Sequence, residues 1–120
     1  MLKLILVCFA FTLCGCLKVG VTRLGQATFQ EKADCNIEVL PSKDAVQRPY
    51  VEACLLDTTS GGPPISPGTA AKAIENAKYY ACQCGADALI INSIQTYPHG
   101  ILDWGGGGAI LTAIKYTDQK

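Results

Sequence analysis

The stretch from Thr69 to Ile94, TAAKAIENAKYYACQCGADALIINSI, constrains the fold of this chain more than any other. Its first half predicts a helix with one narrow apolar stripe, because four small or apolar residues recur there at helical spacing: Ile74, Ala77, Ala81 and Cys84. The helix has two candidate N-caps, Ser66 and Thr69, and the pattern does not choose between them.

The second half of the stretch predicts a glycine stop followed by a buried strand. Gly85 stands where a left-handed C-cap is expected. The run from Ala88 to Ile91 is apolar on both faces, as in a central strand. Because alanine side chains let a helix lie close to a sheet, the stretch predicts one helix packed on a sheet.

Alternating residues elsewhere predict the other strands: 35–40, 50–57 and 109–116. Residues 17–33 show no sustained period and are expected to form a tether, within which one strand near 19–23 stays open. The composition of the run from Gly105 to Gly108 predicts a mobile hairpin segment. We therefore expect an α+β fold of order β-β-α-β-β, with one helix on a mostly antiparallel sheet and with disulfides as staples.

The first sixteen residues predict export. A short basic start precedes the apolar run from Leu4 to Leu13, which is too short to span a bilayer. The run ends in Leu13-Cys14-Gly15-Cys16, which resembles the lipobox of bacterial lipoproteins. A plain secretory signal is the alternative reading.

The lipobox resemblance implies that residues 1–15 are removed and that Cys16 carries a diacylglyceryl thioether and an N-acyl chain. Several acyl chains together hold a protein on a membrane almost irreversibly. Leu17 stands where inner-membrane lipoproteins often have Asp, which favours the outer membrane, with the domain facing the periplasm or exposed at the surface. Residues 16–33 are expected to form a short tether and residues 34–118 the domain, close to its lipid.

Charge and motifs argue against several functions. The chain has 10 basic and 10 acidic residues and no basic patch, so nucleic-acid binding is not expected. Neither a nucleophile motif nor a phosphate loop occurs, and the single histidine, His99, lies in a predicted turn. We expect no enzyme, no small-molecule substrate and no cofactor other than the covalent lipid on Cys16.

Four cysteines remain in the mature chain besides Cys16: Cys35, Cys54, Cys82 and Cys84. An even number in a small exported domain predicts two disulfides, and four cysteines allow three connectivities. A Cys82–Cys84 bridge is the least favoured, because its loop would be very short. By helical periodicity Cys84 faces the sheet and Cys82 points about 200° away, so Cys82 needs a partner in a loop or at a strand end.

Two other uses of the cysteines stay open. Cys82 and Cys84 with His99 are candidate ligands of a heavy-metal site, although structural zinc more often uses Cys-x₂-Cys pairs. A redox-active Cys82-Gln83-Cys84 ranks lower, because the helix dipole opposes a thiolate at a helix C-terminus.

Apolar side chains in the connection after Pro98 are candidates for contact with a partner or a membrane: Ile101, Leu102 and Trp104. The alternative is that this connection folds back over the sheet.

Two short motifs flank the predicted second strand and the helix end. Arg48-Pro49-Tyr50 enters the strand, and Gly85-Ala86-Asp87-Ala88-Leu89-Ile90 follows the helix. From about residue 34 to residue 116, the order of the predicted elements and these two motifs resemble those of the Rcs envelope-stress sensor lipoproteins and the related YbjQ-type small domains. The resemblance implies an outer-membrane anchor, two disulfides, and protein partners in the cell envelope. Cysteine placement and tether length differ from those of the sensor.

The sequence thus predicts a non-enzymatic, lipid-anchored envelope protein that acts through protein contacts. The YbjQ-type relatives, often labelled heavy-metal-binding, make a cysteine-based metal binder the alternative by analogy. A thiol–disulfide redox protein is the third hypothesis.

Overall fold

The computed structural model describes residues 18–25, 29–32, 35–61, 68–97 and 105–118. Within these ranges five strands and one α-helix are present: β1 Lys18–Arg23, β2 Glu38–Leu40, β3 Tyr50–Gly61, α1 Ala70–Gln83, β4 Ala88–Tyr97 and β5 Gly106–Tyr116. A single 3₁₀ turn, Lys43–Ala45, lies between β2 and β3.

The strands form one mixed sheet in the order β1-β3-β5-β4-β2. Three neighbouring pairs are antiparallel, and only β2 and β4 run parallel. Helix α1 contacts β3, β4 and β5 from one side of the sheet. The predicted α+β architecture, one helix on a mostly antiparallel sheet, is confirmed.

Helix α1 begins at the second of its two candidate caps. The Thr69 hydroxyl accepts a hydrogen bond from the Lys72 backbone N–H at 3.2 Å, which satisfies a donor that the first turn leaves open. The buried face consists of Ala73, Ala77 and Ala81, while Ile74 is only half-buried. The buried stripe therefore includes Ala73 in place of Ile74 and is richer in alanine than predicted, which lets the helix lie close to the strands.

Gly85 ends the helix as predicted. Its φ is +72°, and two hydrogen bonds close a Schellman motif: Gly85 N–H to the Cys82 carbonyl and Ala86 N–H to the Ala81 carbonyl, each 3.0 Å. The chain then turns directly into β4, whose first three residues are buried as a central strand requires.

The sheet carries buried side chains on both faces. On the helix side, Leu56, Leu89 and Leu111 form the centre of the larger core. On the other side a smaller core contains five residues: Leu40, Ala88, Ile90, Ile114 and Tyr116. The segment around the 3₁₀ turn packs against this smaller core, so among the described residues it covers one end of the face opposite the helix.

The prediction that Gly105 to Gly108 form a mobile hairpin segment is wrong. Gly106, Gly107 and Gly108 are buried residues of β5. A β-carbon on Gly107 would lie 2.1 Å from the backbone nitrogen of Ala70. Gly107 has no room for a side chain because the start of α1 lies directly on this strand, and a β-carbon on Gly106 would lie 2.4 Å from the Ser60 carbonyl oxygen of β3.

Two other boundaries differ from the prediction. The strand expected over 35–40 is confined to Glu38–Leu40, and β3 continues past Asp57 to Gly61. In that extension the buried Thr58 hydroxyl donates to the Ala109 carbonyl at 3.3 Å, so polar residues fit a buried strand. The range assigned to the tether, 16–33, contains β1, which pairs with β3 along its length.

Candidate functional site

The four cysteines form two disulfides, as predicted, and the structure selects the connectivity. Cys35 pairs with Cys82 and Cys54 with Cys84, with Cα–Cα distances of 5.9 and 6.4 Å. Cys84 faces the sheet and bonds to buried Cys54 in β3, whereas Cys82 bonds to Cys35 in the segment before β2. The expected opposite orientation of Cys82 and Cys84 on the helix is confirmed.

The segment of residues 29–32, which we call the strap, crosses the C-terminal end of α1. The Lys32 N–H donates to the Cys82 carbonyl at 3.0 Å, and the Lys32 ammonium forms an ion pair with Asp87. Phe29 packs against Gly85, since a β-carbon added at Gly85 would lie 2.7 Å from the β-carbon of Phe29. The Lys115 ammonium lies 5.7 Å from the centre of the Phe29 ring. The Cys35–Cys82 bridge therefore fixes the chain just after the strap.

Asp87 connects the strap to the sheet. Its side chain is 7% exposed, and its carboxylate pairs with Lys32 and accepts the Tyr116 backbone N–H at 2.9 Å. Lys115 Nζ lies 4.0 Å from the same carboxylate. Burial by itself would raise the pKa of Asp87, but these donors and charges outweigh it and hold the pKa below the ordinary value. Asp87 is thus ionised and paired in the folded protein.

Arg48 forms a second cluster beside Tyr116. Its guanidinium makes a bidentate pair with Asp118, with Nε–Oδ2 3.0 Å and Nη2–Oδ1 2.6 Å, and it stacks 3.9 Å above the Tyr116 ring. The Arg48 hydrogen bond holds the pKa of Asp118 below its usual value. Burial, and then the hydrogen bond that Tyr116 donates to Glu38 at 3.1 Å, raise the pKa of the tyrosine.

The two motifs that carry the family resemblance, Arg48-Pro49-Tyr50 and the run from Gly85 to Ile90, each contribute one residue that contacts Tyr116. Arg48 stacks on the Tyr116 ring, and Asp87 binds the Tyr116 backbone. We call this region the charged end, made of Lys32, Glu38, Arg48, Asp87, Lys115 and Asp118. A groove of about 370 Å³ opens here, lined by Glu38, Leu40, Ala45, Gln47, Arg48 and Tyr116.

The charged end could not be located from the sequence. Arg48 and Asp118 are 70 positions apart, and no periodicity links them. The one signal available was Asp87, a carboxylate standing immediately before an apolar strand, where an ionised group needs partners.

Several predicted site residues lie outside the described residues: Cys16, His99, Ile101, Leu102 and Trp104. Of the proposed metal ligands, Cys82 and Cys84 each belong to a disulfide, so neither offers a thiolate while its bridge is intact. In the part of the chain that the structure describes, no three His, Cys, Asp or Glu side chains converge as a ligand set. Over the same residues, no helix is long and apolar enough to cross a membrane.

No protein-family model, characterised protein or solved structure matches this chain. The fold and its bridges define it as a small α+β domain held by two disulfides.

Proposed function

We propose that this protein is a lipid-anchored lipoprotein of the bacterial outer membrane that binds a protein partner in the cell envelope and is not an enzyme. The observation that carries the proposal is the pair of disulfides in a chain that begins with a lipobox-like signal. Disulfides persist in exported proteins and are rare in the reducing cytosol, so the bridges and the signal support the same compartment independently.

The charged end is the proposed partner surface. The bidentate Arg48–Asp118 pair is solvent-exposed on both sides and borders the groove, whose floor contains Leu40 and Ala45. Exposed charges beside a groove with both polar and apolar walls give a partner both orientation and contact area. A role in stress sensing follows only from the resemblance to the Rcs sensors.

Substitution of the lipidated cysteine tests the anchor. We expect Cys16→Ser to abolish lipid attachment, measured as the loss of the acyl chains from the intact mass. Cys14→Ser is the matched control and should keep them, because serine is also small enough for the lipobox position that Cys14 occupies. Equal amounts of attached lipid in both variants would contradict the anchor.

Site-specific photo-crosslinking in cells tests the partner surface. A photoreactive amino acid at Gln47, an exposed residue of the groove, should form an adduct with a discrete envelope protein. The same group at Tyr79, on the exposed side of α1, is the control and should not. Adducts at Tyr79 but not at Gln47 would place the partner elsewhere.

A further inference from the structure

The register of the sheet shows which of its ends is nearest to Cys16. Lys18 pairs with Thr59, Thr59 with Gly108, and Gly108 with Gln95, so these four residues form one row across the sheet. Lys18 follows Cys16 by two residues, and two residues of extended chain span at most about 7 Å. The rim of the sheet beyond this row is therefore attached to the lipid almost directly.

That rim, which we call the anchor end, consists of residues 59–61, 95–97 and 106–108. Its described side chains include no charge. The charged end lies at the opposite ends of β3 and β5, where Tyr50 pairs with Tyr116. Because a charge is costly to bring to the edge of a bilayer, this asymmetry favours the anchor end as the side that faces lipid.

Tyr97 gives the anchor end an exposed aromatic side chain. It is 47% exposed, and its ring lies over Gly108, where an added β-carbon would be 3.7 Å from Tyr97 Cε2. Its hydroxyl donates to Gln95 Oε1 at 2.6 Å. A ring with one apolar face and a polar tip suits the headgroup region of a membrane.

We propose that the anchor end rests on the lipid bilayer with Tyr97 at headgroup level, and that the charged end points away from the membrane. This inference depends on the lipid anchor of the proposed function. The acyl chains supply the affinity, since one tyrosine buries little area. Tyr97 lies on β4, three strands from β1, or about 14 Å across the sheet, so lipid and tyrosine give two separated contacts that fix the tilt of the domain.

Quenching of a reporter tryptophan by brominated lipid tests the orientation. The lipidated full-length chain, with its only tryptophan removed by Trp104→Phe, is reconstituted into phosphatidylcholine vesicles whose acyl chains carry bromine. Tyr97→Trp places the reporter at the anchor end. Tyr79→Trp is the matched control, because Tyr79 is also an exposed tyrosine, 63% exposed. It lies about 13 Å along the axis of α1 from Ala70, the first residue of the helix.

We expect several-fold stronger quenching at position 97 than at position 79. Equal quenching, or stronger quenching at 79, would overturn the orientation. Gln95→Trp provides a second reporter on the same rim if the first variant does not fold. Flotation with the vesicles separates the two claims: a chain that does not float refutes the anchor and the orientation together, and a chain that floats with equal quenching refutes the orientation alone.

Discussion

Gly107 is the residue at which helix and sheet come closest. A β-carbon at this position would lie 2.1 Å from Ala70 N and 2.4 Å from the Thr69 carbonyl carbon, both backbone atoms that cannot rotate away. We expect Gly107→Ala to lower the free energy of unfolding by about 1–3 kcal/mol, because the start of α1 must move. Urea denaturation measures the change.

Gly20→Ala is the control for this substitution. Gly20 also lies in a strand, but an added β-carbon would be 3.8 Å from Asp57, an ordinary contact. We expect a change within about 0.5 kcal/mol. Equal losses from the two variants would mean that the packing of α1 on β5 is not what excludes a side chain at 107.

The lowered pKa of Asp87 predicts how the free energy of unfolding depends on pH. Since its pKa is lowered on folding, its contribution is complete above the ordinary value of 3.8 and is lost as pH falls through the lower folded value. We expect Asp87→Asn to cost roughly 2–4 kcal/mol near neutral pH, because Lys32 loses its charged partner and the single amide oxygen of asparagine can accept from Lys32 or from the Tyr116 N–H but not from both. As pH falls from 3.8 through the lower folded value, the stabilities of wild type and variant should converge.

Asp118→Asn is the comparison for that result. Asp118 also has a lowered pKa, but its pair with Arg48 is exposed and screened by solvent, so we expect a much smaller loss. If Asp87→Asn instead kept the full acid dependence of the wild type, another carboxylate would be responsible for it.

At the scale of elements, the two disulfides differ in accessibility. Cys54 and Cys84 are buried between β3 and α1, whereas Cys35 and Cys82 are only half-buried beside the strap. A thiolate must reach a sulfur to reduce it, so a mild dithiol should open Cys35–Cys82 first. Alkylation of the freed thiols followed by peptide mass spectrometry identifies the order. Simultaneous labelling of all four cysteines would contradict it.

Removing the outer bridge should loosen the strap without unfolding the sheet. We expect the double variant Cys35→Ser, Cys82→Ser to lose about 2–4 kcal/mol and to exchange the amide hydrogen of Lys32 faster. The amides of β5 should remain protected, because the Cys54–Cys84 bridge and the larger core remain. Faster exchange throughout β5 would show that the two bridges act as one unit.

Local patterns predicted those elements whose residues are close in sequence. The alanine spacing located α1, and Gly85 located its end, because cap and stripe are short-range features. Periodicity also gave the opposite directions of Cys82 and Cys84. It did not give their partners, because pairing depends on where β2 and β3 lie in the sheet.

Contacts between distant residues account for what the sequence did not reveal. The glycine run resembled a loop because the residues that leave no room for a β-carbon at Gly106 and Gly107, Ser60 of β3 and Ala70 of α1, are more than thirty residues earlier in the chain. β1 was only weakly indicated because its six residues, KVGVTR, include a glycine and belong to a stretch with no sustained period. The charged end joins the strap, β2, the residues just before β3 and β4, and the C-terminal end of β5, so no single segment contains its pattern.

At the scale of the whole molecule, the sheet has two chemically different ends. Charged side chains gather where β3 begins and β5 ends, and uncharged residues form the rim that lies nearest to Cys16. A chain with a lipid two residues before its first strand would use one end to rest on the membrane and the other to meet a partner. A core of this modest size gains much of its stability from the bridges, which fits an exported protein.

The intact mass of the protein extracted from membranes, under denaturing and unreduced conditions, tests the central claim most directly. The account predicts a chain that begins at Cys16, carries the diacylglyceryl group and an N-acyl chain, and lacks two hydrogen atoms for each of its two disulfides. A chain without lipid, or one whose four remaining cysteines are free thiols, would contradict it.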